Sequence, residues 1–126
     1  MKKRILIVED EPTLLFALQD YLDQHGFEVD AVSELEEANA LLMNMPYDVV
    51  VTDLRLTPVQ AAEGLNVIEM VRERSLSSRI VVLTGCGTGA IENAARRLGI
   101  DRYLRKPVPL SVLAGTISEL CEGPPS

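Results

Sequence analysis

Val49-Val50-Val51-Thr52-Asp53 is an apolar run that stops abruptly on a carboxylate. Four β-branched residues in succession predict a strand buried on both faces, as in parallel sheets covered by helices. The end of such a strand lies at the sheet's C-terminal edge, where open α/β sheets bind their ligands. Outward from this run, RILIV (4–8) and RIVVL (79–83) predict two further buried strands, and the shorter FEVDA (27–31) and IDRYL (100–104) two more. The segments between them are helical. Leu14, Leu15, Leu18 and Leu22 recur at helical spacing over 12–25, with Gly26 placed to close that helix. Ser33 and Glu36 predict a capping box for a helix carrying Leu35, Ala38, Leu41 and Leu42. Helices are also expected over 64–74, 90–98 and 109–121, whereas LRLTPVQAAE (54–63) lacks periodicity and predicts a loop. Strand and helix alternating five times imply a doubly wound five-stranded parallel sheet, a flavodoxin-like (βα)5 fold.

The chain has 126 residues, enough for one domain with a proper core. Residues 1–121 are expected to form that domain and 122–126 a tail or the start of a linker. A hydrophobic fraction of 47% excludes a disordered chain, and no apolar run approaches the ~20 residues of a membrane span. Glu9, Asp10 and Glu11 interrupt the N-terminal apolar stretch too early for a signal peptide. Cys86 and Cys121 stand far apart with no metal-ligand grouping, as expected of reduced thiols in a cytoplasmic protein. A net charge of −7 argues against direct nucleic-acid binding.

In a parallel sheet the residues that end neighbouring strands become neighbours themselves. Here they are Glu9 and Asp10 after the first strand, Asp53 after the third, Thr84 after the fourth and Lys106 after the fifth. Taken singly, each is most simply a solvated loop residue; five at one edge ask for another explanation. Crowded carboxylates stay ionised near neutral pH only beside positive charge. Oxygen ligands without histidine favour a hard ion, Mg²⁺ rather than zinc, and Mg²⁺ binds through one or two carboxylates plus a phosphoryl oxygen. Asp53 is then the expected nucleophile of an aspartyl phosphate. Lys106 and the metal would neutralise phosphoryl charge, and Thr84 would donate a hydrogen bond to it.

ILIVEDEP (5–12), VVVTDLRL (49–56), IVVLTG (80–85) and YLRKP (103–107) together resemble the receiver domains of two-component response regulators, of the chemotaxis-regulator type. The resemblance covers essentially the whole chain. It implies that Asp53 takes a phosphoryl group from the phosphohistidine of a sensor histidine kinase or phosphotransfer protein. It further implies that Asp10 and Asp53 ligate Mg²⁺ with the Arg55 backbone carbonyl, and that Glu9 acts on the metal through water. Thr84 and Tyr103 match the family's switch pair, a hydroxyl that moves toward the phosphoryl group and an aromatic ring that turns inward. A cis Lys106-Pro107 bond is also implied. The segment from Asp53 to Gly64 is longer than the family usually has, which bears on kinase docking and site access. Arg55 and Cys86 fall at positions that border the phosphoryl group; an arginine there either stabilises phosphoryl charge or hinders attacking water, and both stay open.

Gly85-Cys86-Gly87-Thr88-Gly89-Ala90 imitates a dinucleotide fingerprint but follows the wrong strand, so a flexible switch loop is expected instead. Arg96, Arg97, Arg102, Arg105 and Lys106 form a basic cluster on the fourth-helix and fifth-strand side. That cluster is either a solvated face or a surface for an acidic partner or a second copy of the chain. His25 at a helix end has no assigned role. The domain is expected to catalyse only its own phosphorylation and dephosphorylation. A constitutive binding module is the alternative, though neither the acceptor, the acid pair nor the lysine is missing. A haloacid-dehalogenase-type phosphatase would need a second aspartate where Arg55 stands.

Overall fold

The computed structural model describes residues 2–54, 58–75, 77–85 and 89–122, with the backbone alone for 58–63. Five strands alternate with five helices: β1 (Arg4–Val8), α1 (Pro12–Gln24), β2 (Glu28–Val32), α2 (Leu35–Asn44), β3 (Val49–Leu54), α3 (Pro58–Arg74), β4 (Arg79–Thr84), α4 (Gly89–Arg97), β5 (Arg102–Arg105) and α5 (Leu110–Glu122). All pairings are parallel, in the order β2-β1-β3-β4-β5. From β1 the chain crosses to β2 on one side and later to β3 on the other. The crevice above β1 and β3 is therefore the topological switch point of the sheet.

The apolar strands are buried on both faces because each face carries helices. Ile5, Val49, Val51 and Leu83 pack with Leu18 and Leu22 of α1 and with Leu113 and Ile117 of α5. Leu6, Val50, Ile80 and Val82 face the other way, onto Ala38 of α2, Val67, Ile68 and Val71 of α3, and Ala95 of α4. Far from the switch point, Arg72 of α3 ties three connections together. Its guanidinium donates to the carbonyls of Gly99, Ser75 and Ser78 and pairs with Asp101 at 3.4 Å, while Asp101 accepts from the Ile80 amide at 2.8 Å.

Several local expectations shift. β3 continues to Leu54, which pairs with Thr84, so Asp53 is penultimate in its strand rather than the residue after it. β2 starts one residue late, and Phe27 is buried just before it. α1 is capped by Glu11, whose carboxylate accepts from the Thr13 and Leu14 amides at 3.2 and 2.7 Å. The capping box at Ser33 does not form. Glu34 occupies the cap position in extended conformation without a side-chain cap, which leaves Ser33 one residue too early and 3.5 Å from Glu37. Residues 58–63 are not loop but the first turns of α3. Proline is preorganised for a first helical turn, and the Gln-Ala-Ala-Glu that follows has high helix propensity. The proline that suggested a break is thus a start signal.

Thr52 faces the α3 side beside Val50 and Leu54; it is 1% exposed, and its hydroxyl has no hydrogen-bond partner among the described residues. A buried unpaired hydroxyl costs about 1–3 kcal/mol. The near-isosteric change Thr52→Val is expected to raise the urea midpoint by a stabilisation of about 1 kcal/mol or more. A lowered midpoint would show that the hydroxyl is satisfied.

Candidate functional site

Glu9 and Asp10 leave β1 at the switch point and meet Asp53 from β3. One carboxylate oxygen from each lies within 4.8 Å of the others. Glu9 is only 2% exposed; its amide donates to the Val32 carbonyl at 3.0 Å and its carboxylate accepts from the Glu11 amide at 3.2 Å. These bonds hold the Glu9 side chain over the crevice. Lys106 enters from the β5 side. Its backbone amide donates to the Thr84 carbonyl at 2.7 Å, and the Lys106-Pro107 bond is cis, as the resemblance implied. The ammonium reaches back to the acids, 2.6 Å from Glu9 Oε1 and 3.1 Å from Asp53 Oδ1. Lys106 is therefore part of the site and not of the solvated basic cluster.

Glu9 and Asp53 are largely withdrawn from water and share the Lys106 ammonium. Burial, and then repulsion from Glu9, push the Asp53 carboxyl up to about 6, against the opposing pull of Lys106. An all-oxygen donor set of three carboxylates fits a hard divalent cation.

The two expected switch residues occupy neighbouring strands on one face. Thr84 ends β4, 1% exposed, two residues beyond Val82; Val82 pairs with Tyr103 of β5. Residues two apart in a strand share a face, so Thr84 stands on the α4 side with Val82 and Tyr103. The Tyr103 hydroxyl is buried with no hydrogen-bond partner among the described residues, and the Arg96 guanidinium lies 5.9 Å from its ring centroid. Arg96 also pairs with Glu92 at 2.9 Å, and Arg102 approaches Glu119 at 3.8 Å. Part of the basic cluster is thus neutralised within its own face. Arg55 and Cys86, and with Cys86 the centre of the 85–89 loop, lie outside the described residues. Reading the sequence missed Glu11, whose cap fixes the start of α1 beside the acids; the Glu-Pro pair opening a helical pattern was its signal.

A profile of the response regulator receiver domain matches residues 5–118. The chain belongs to the receiver domain family of response regulators. It is 36% identical over 105 residues to the photosynthetic apparatus regulatory protein RegA of Cereibacter sphaeroides, covering 83% of this chain and 55% of that protein. It therefore spans about half the length of such relatives. Among solved structures, the CheY-like response regulator receiver domain protein of Methanospirillum hungatei superposes with a TM-score of 0.89 at 25% identity, over 97% of this chain and 95% of that one. The beryllofluoride-activated NtrC4 receiver domain dimer gives 0.82 at 28% identity, over 94% and 96%. Among the described residues, no helix of this receiver domain is long and apolar enough to cross a membrane.

The raised Asp53 value has a definite consequence. Well below the unfolded value of 3.8 the carboxyl is protonated in both folded and unfolded chains, and it contributes nothing to the pH dependence. As pH rises toward about 6 the unfolded chain, with its value near 3.8, ionises first, so this group lowers the stability of the cation-free protein. Above that range the loss levels off at about 3 kcal/mol. Carboxyl NMR should place the Asp53 midpoint near 6, and Lys106→Met should move it higher; a midpoint near 4 would contradict the burial and repulsion described here.

Proposed function

We propose that Asp53 is the phosphoacceptor of this receiver domain and that its phosphorylation, supported by Mg²⁺, switches the α4–β5 face. The observation that carries this reading is the contact of one ammonium, Lys106 Nζ, with both Glu9 and Asp53 beside Asp10. That arrangement leaves a nucleophilic carboxylate next to positive charge and to a site for a divalent cation. The donor is a phosphohistidine on a sensor kinase or phosphotransfer protein. A carboxylate oxygen of Asp53 attacks phosphorus, the new P–O bond forms as the P–N bond breaks, and the imidazole departs with the electron pair. Hydrolysis reverses the state when water attacks phosphorus and returns the carboxylate with inorganic phosphate.

Asp10 and Asp53, with the Arg55 carbonyl, would hold Mg²⁺, with Glu9 acting through water. The ion supplies charge neutralisation on the phosphoryl oxygens. Glu9 orients Lys106 through the 2.6 Å pair, and Lys106 is placed to neutralise one phosphoryl oxygen. Thr84 donates its hydroxyl to another, and this draws the end of β4 toward the site. Tyr103 and Arg96, stacked on the same face, then repack, and the exposed Arg97, Arg102 and Arg105 present the altered surface to a partner or a second copy. The chemistry is confined to the domain's own phosphorylation and dephosphorylation. Residues 1–121 make up this unit in a cytoplasmic protein, with α5 carrying helix one residue further, to Glu122.

Beryllofluoride with Mg²⁺ should shift the amide resonances of Asp53, Thr84 and Tyr103, and a chelator should reverse the change. Asp53→Asn should abolish it. Lys106→Met should keep cation binding yet slow phosphorylation by acetyl phosphate about a hundredfold, the usual effect of losing one preorganised charge-stabilising group. A wild-type protein that responds to neither reagent would refute the assignment.

A further inference from the structure

α3 carries a glycine in its interior, where no turn calls for one. Gly64 is the seventh of the 17 residues of Pro58–Arg74 and is buried. An interior glycine weakens a helix by roughly 1 kcal/mol relative to alanine. What it permits here is close approach. A Cβ at this position would overlap Leu54 Cδ2, and it would lie 3.0 Å from the Asp53 carbonyl oxygen and 3.5 Å from Leu54 Cα. Gly85, Gly89 and Gly115 would meet nothing within 4 Å, and Gly26 and Gly99 answer to positive φ. Among the described glycines, Gly64 alone faces the backbone of another element.

The direction of α3 shows what is being approached. Val71 lies near Tyr47 and Ser78, below the start of β3, so the helix runs antiparallel to the strand and passes its end at Gly64. The Asp53–Leu54 peptide is held by the ladder to Leu83 and Thr84 on one side and by the bare Cα of Gly64 on the other. The Asp53 carboxylate branches from that same residue and meets Lys106 at 3.1 Å. A shift of a few tenths of an ångström in the peptide therefore changes the reach of the carboxylate toward the ammonium and the acid pair.

We propose that Gly64 is a positioning residue for the phosphoacceptor: its missing side chain sets the spacing between α3 and the Asp53–Leu54 peptide, and through it the place of the Asp53 carboxylate. The proposal rests on the reading of Asp53 as acceptor. Two variants of one helix test it, Gly64→Ala at the strand end and Val71→Ala in the core, both checked for folding by circular dichroism. In Gly64→Ala, Mg²⁺ titration followed by amide NMR should show affinity weakened about fivefold or more and the Asp53 and Leu54 resonances displaced. Phosphorylation by acetyl phosphate should slow about tenfold or more, as sub-ångström misplacement of a reacting group does. Val71→Ala should stay within about twofold of wild type on both counts, since Val71 lies beside Tyr47 and Ser78 at the other end of α3 and among the described residues shares no partner with the site.

Should Gly64→Ala not fold, Leu54→Ala/Gly64→Ala removes the methyl clash and leaves the approach to the Asp53 carbonyl; it should show the same losses. Wild-type Mg²⁺ affinity and wild-type Asp53 shifts in the folded single or double variant would overturn the proposal. A wild-type protein deaf to acetyl phosphate would instead overturn the acceptor reading, and the Mg²⁺ titration would still decide the role of Gly64.

Discussion

Three carboxylates gathered beside the Lys106 ammonium at the end of a parallel sheet are an arrangement that the rest of the fold makes possible. Glu9, Asp10 and Asp53 converge because β1 and β3 are neighbours and both end at the switch point. Lys106 reaches them because β5 ends beside β4, whose Thr84 carbonyl holds the lysine amide. Isolated in water, the acids would simply stay apart. In the crevice, burial and then repulsion from Glu9 raise the Asp53 carboxyl. The three carboxylates so placed form a group that could hold a metal ion.

Such a charge cluster needs a stiff support. The central strands are apolar on both faces and sealed by helices on each side, so the strand ends cannot drift independently. Bonds at the top of the sheet add local constraint, with Glu11 capping α1 and the Glu11 amide bound to Glu9. At the bottom, Arg72 joins the end of α3 to the connections before β4 and β5. The α4 side is less settled. Among the described residues the buried Tyr103 hydroxyl has no hydrogen-bond partner, and Arg96 is shared between Glu92 and the Tyr103 ring.

The residues 54–63 illustrate how local reading fails. Proline after a strand suggested a loop, yet Pro58 opens a helix, because a first turn has no use for the missing N–H. The Ser33–Glu36 pair failed the other way: the motif was present, but the chain entered α2 one residue later, so no cap bond formed. The first miss is a misread local signal; in the second the chain simply takes its cap at Glu34 rather than Ser33.

Periodicity by itself determined the five strands, the five helices and the parallel class, since burial on two faces demands unbroken apolar strands and one-sided helices. It also placed Glu9, Asp10, Asp53, Thr84 and Lys106 at one edge, because topology sends every strand end there. What only the tertiary structure decided are the quantities set by distance and burial. The partners of the Lys106 ammonium, the upward push on Asp53, the shared face of Thr84 and Tyr103 and the contact of Gly64 with the Asp53 peptide all belong to that class. Electrostatic strength and steric fit depend on ångströms between residues far apart in the chain, and spacing along a sequence carries no such length.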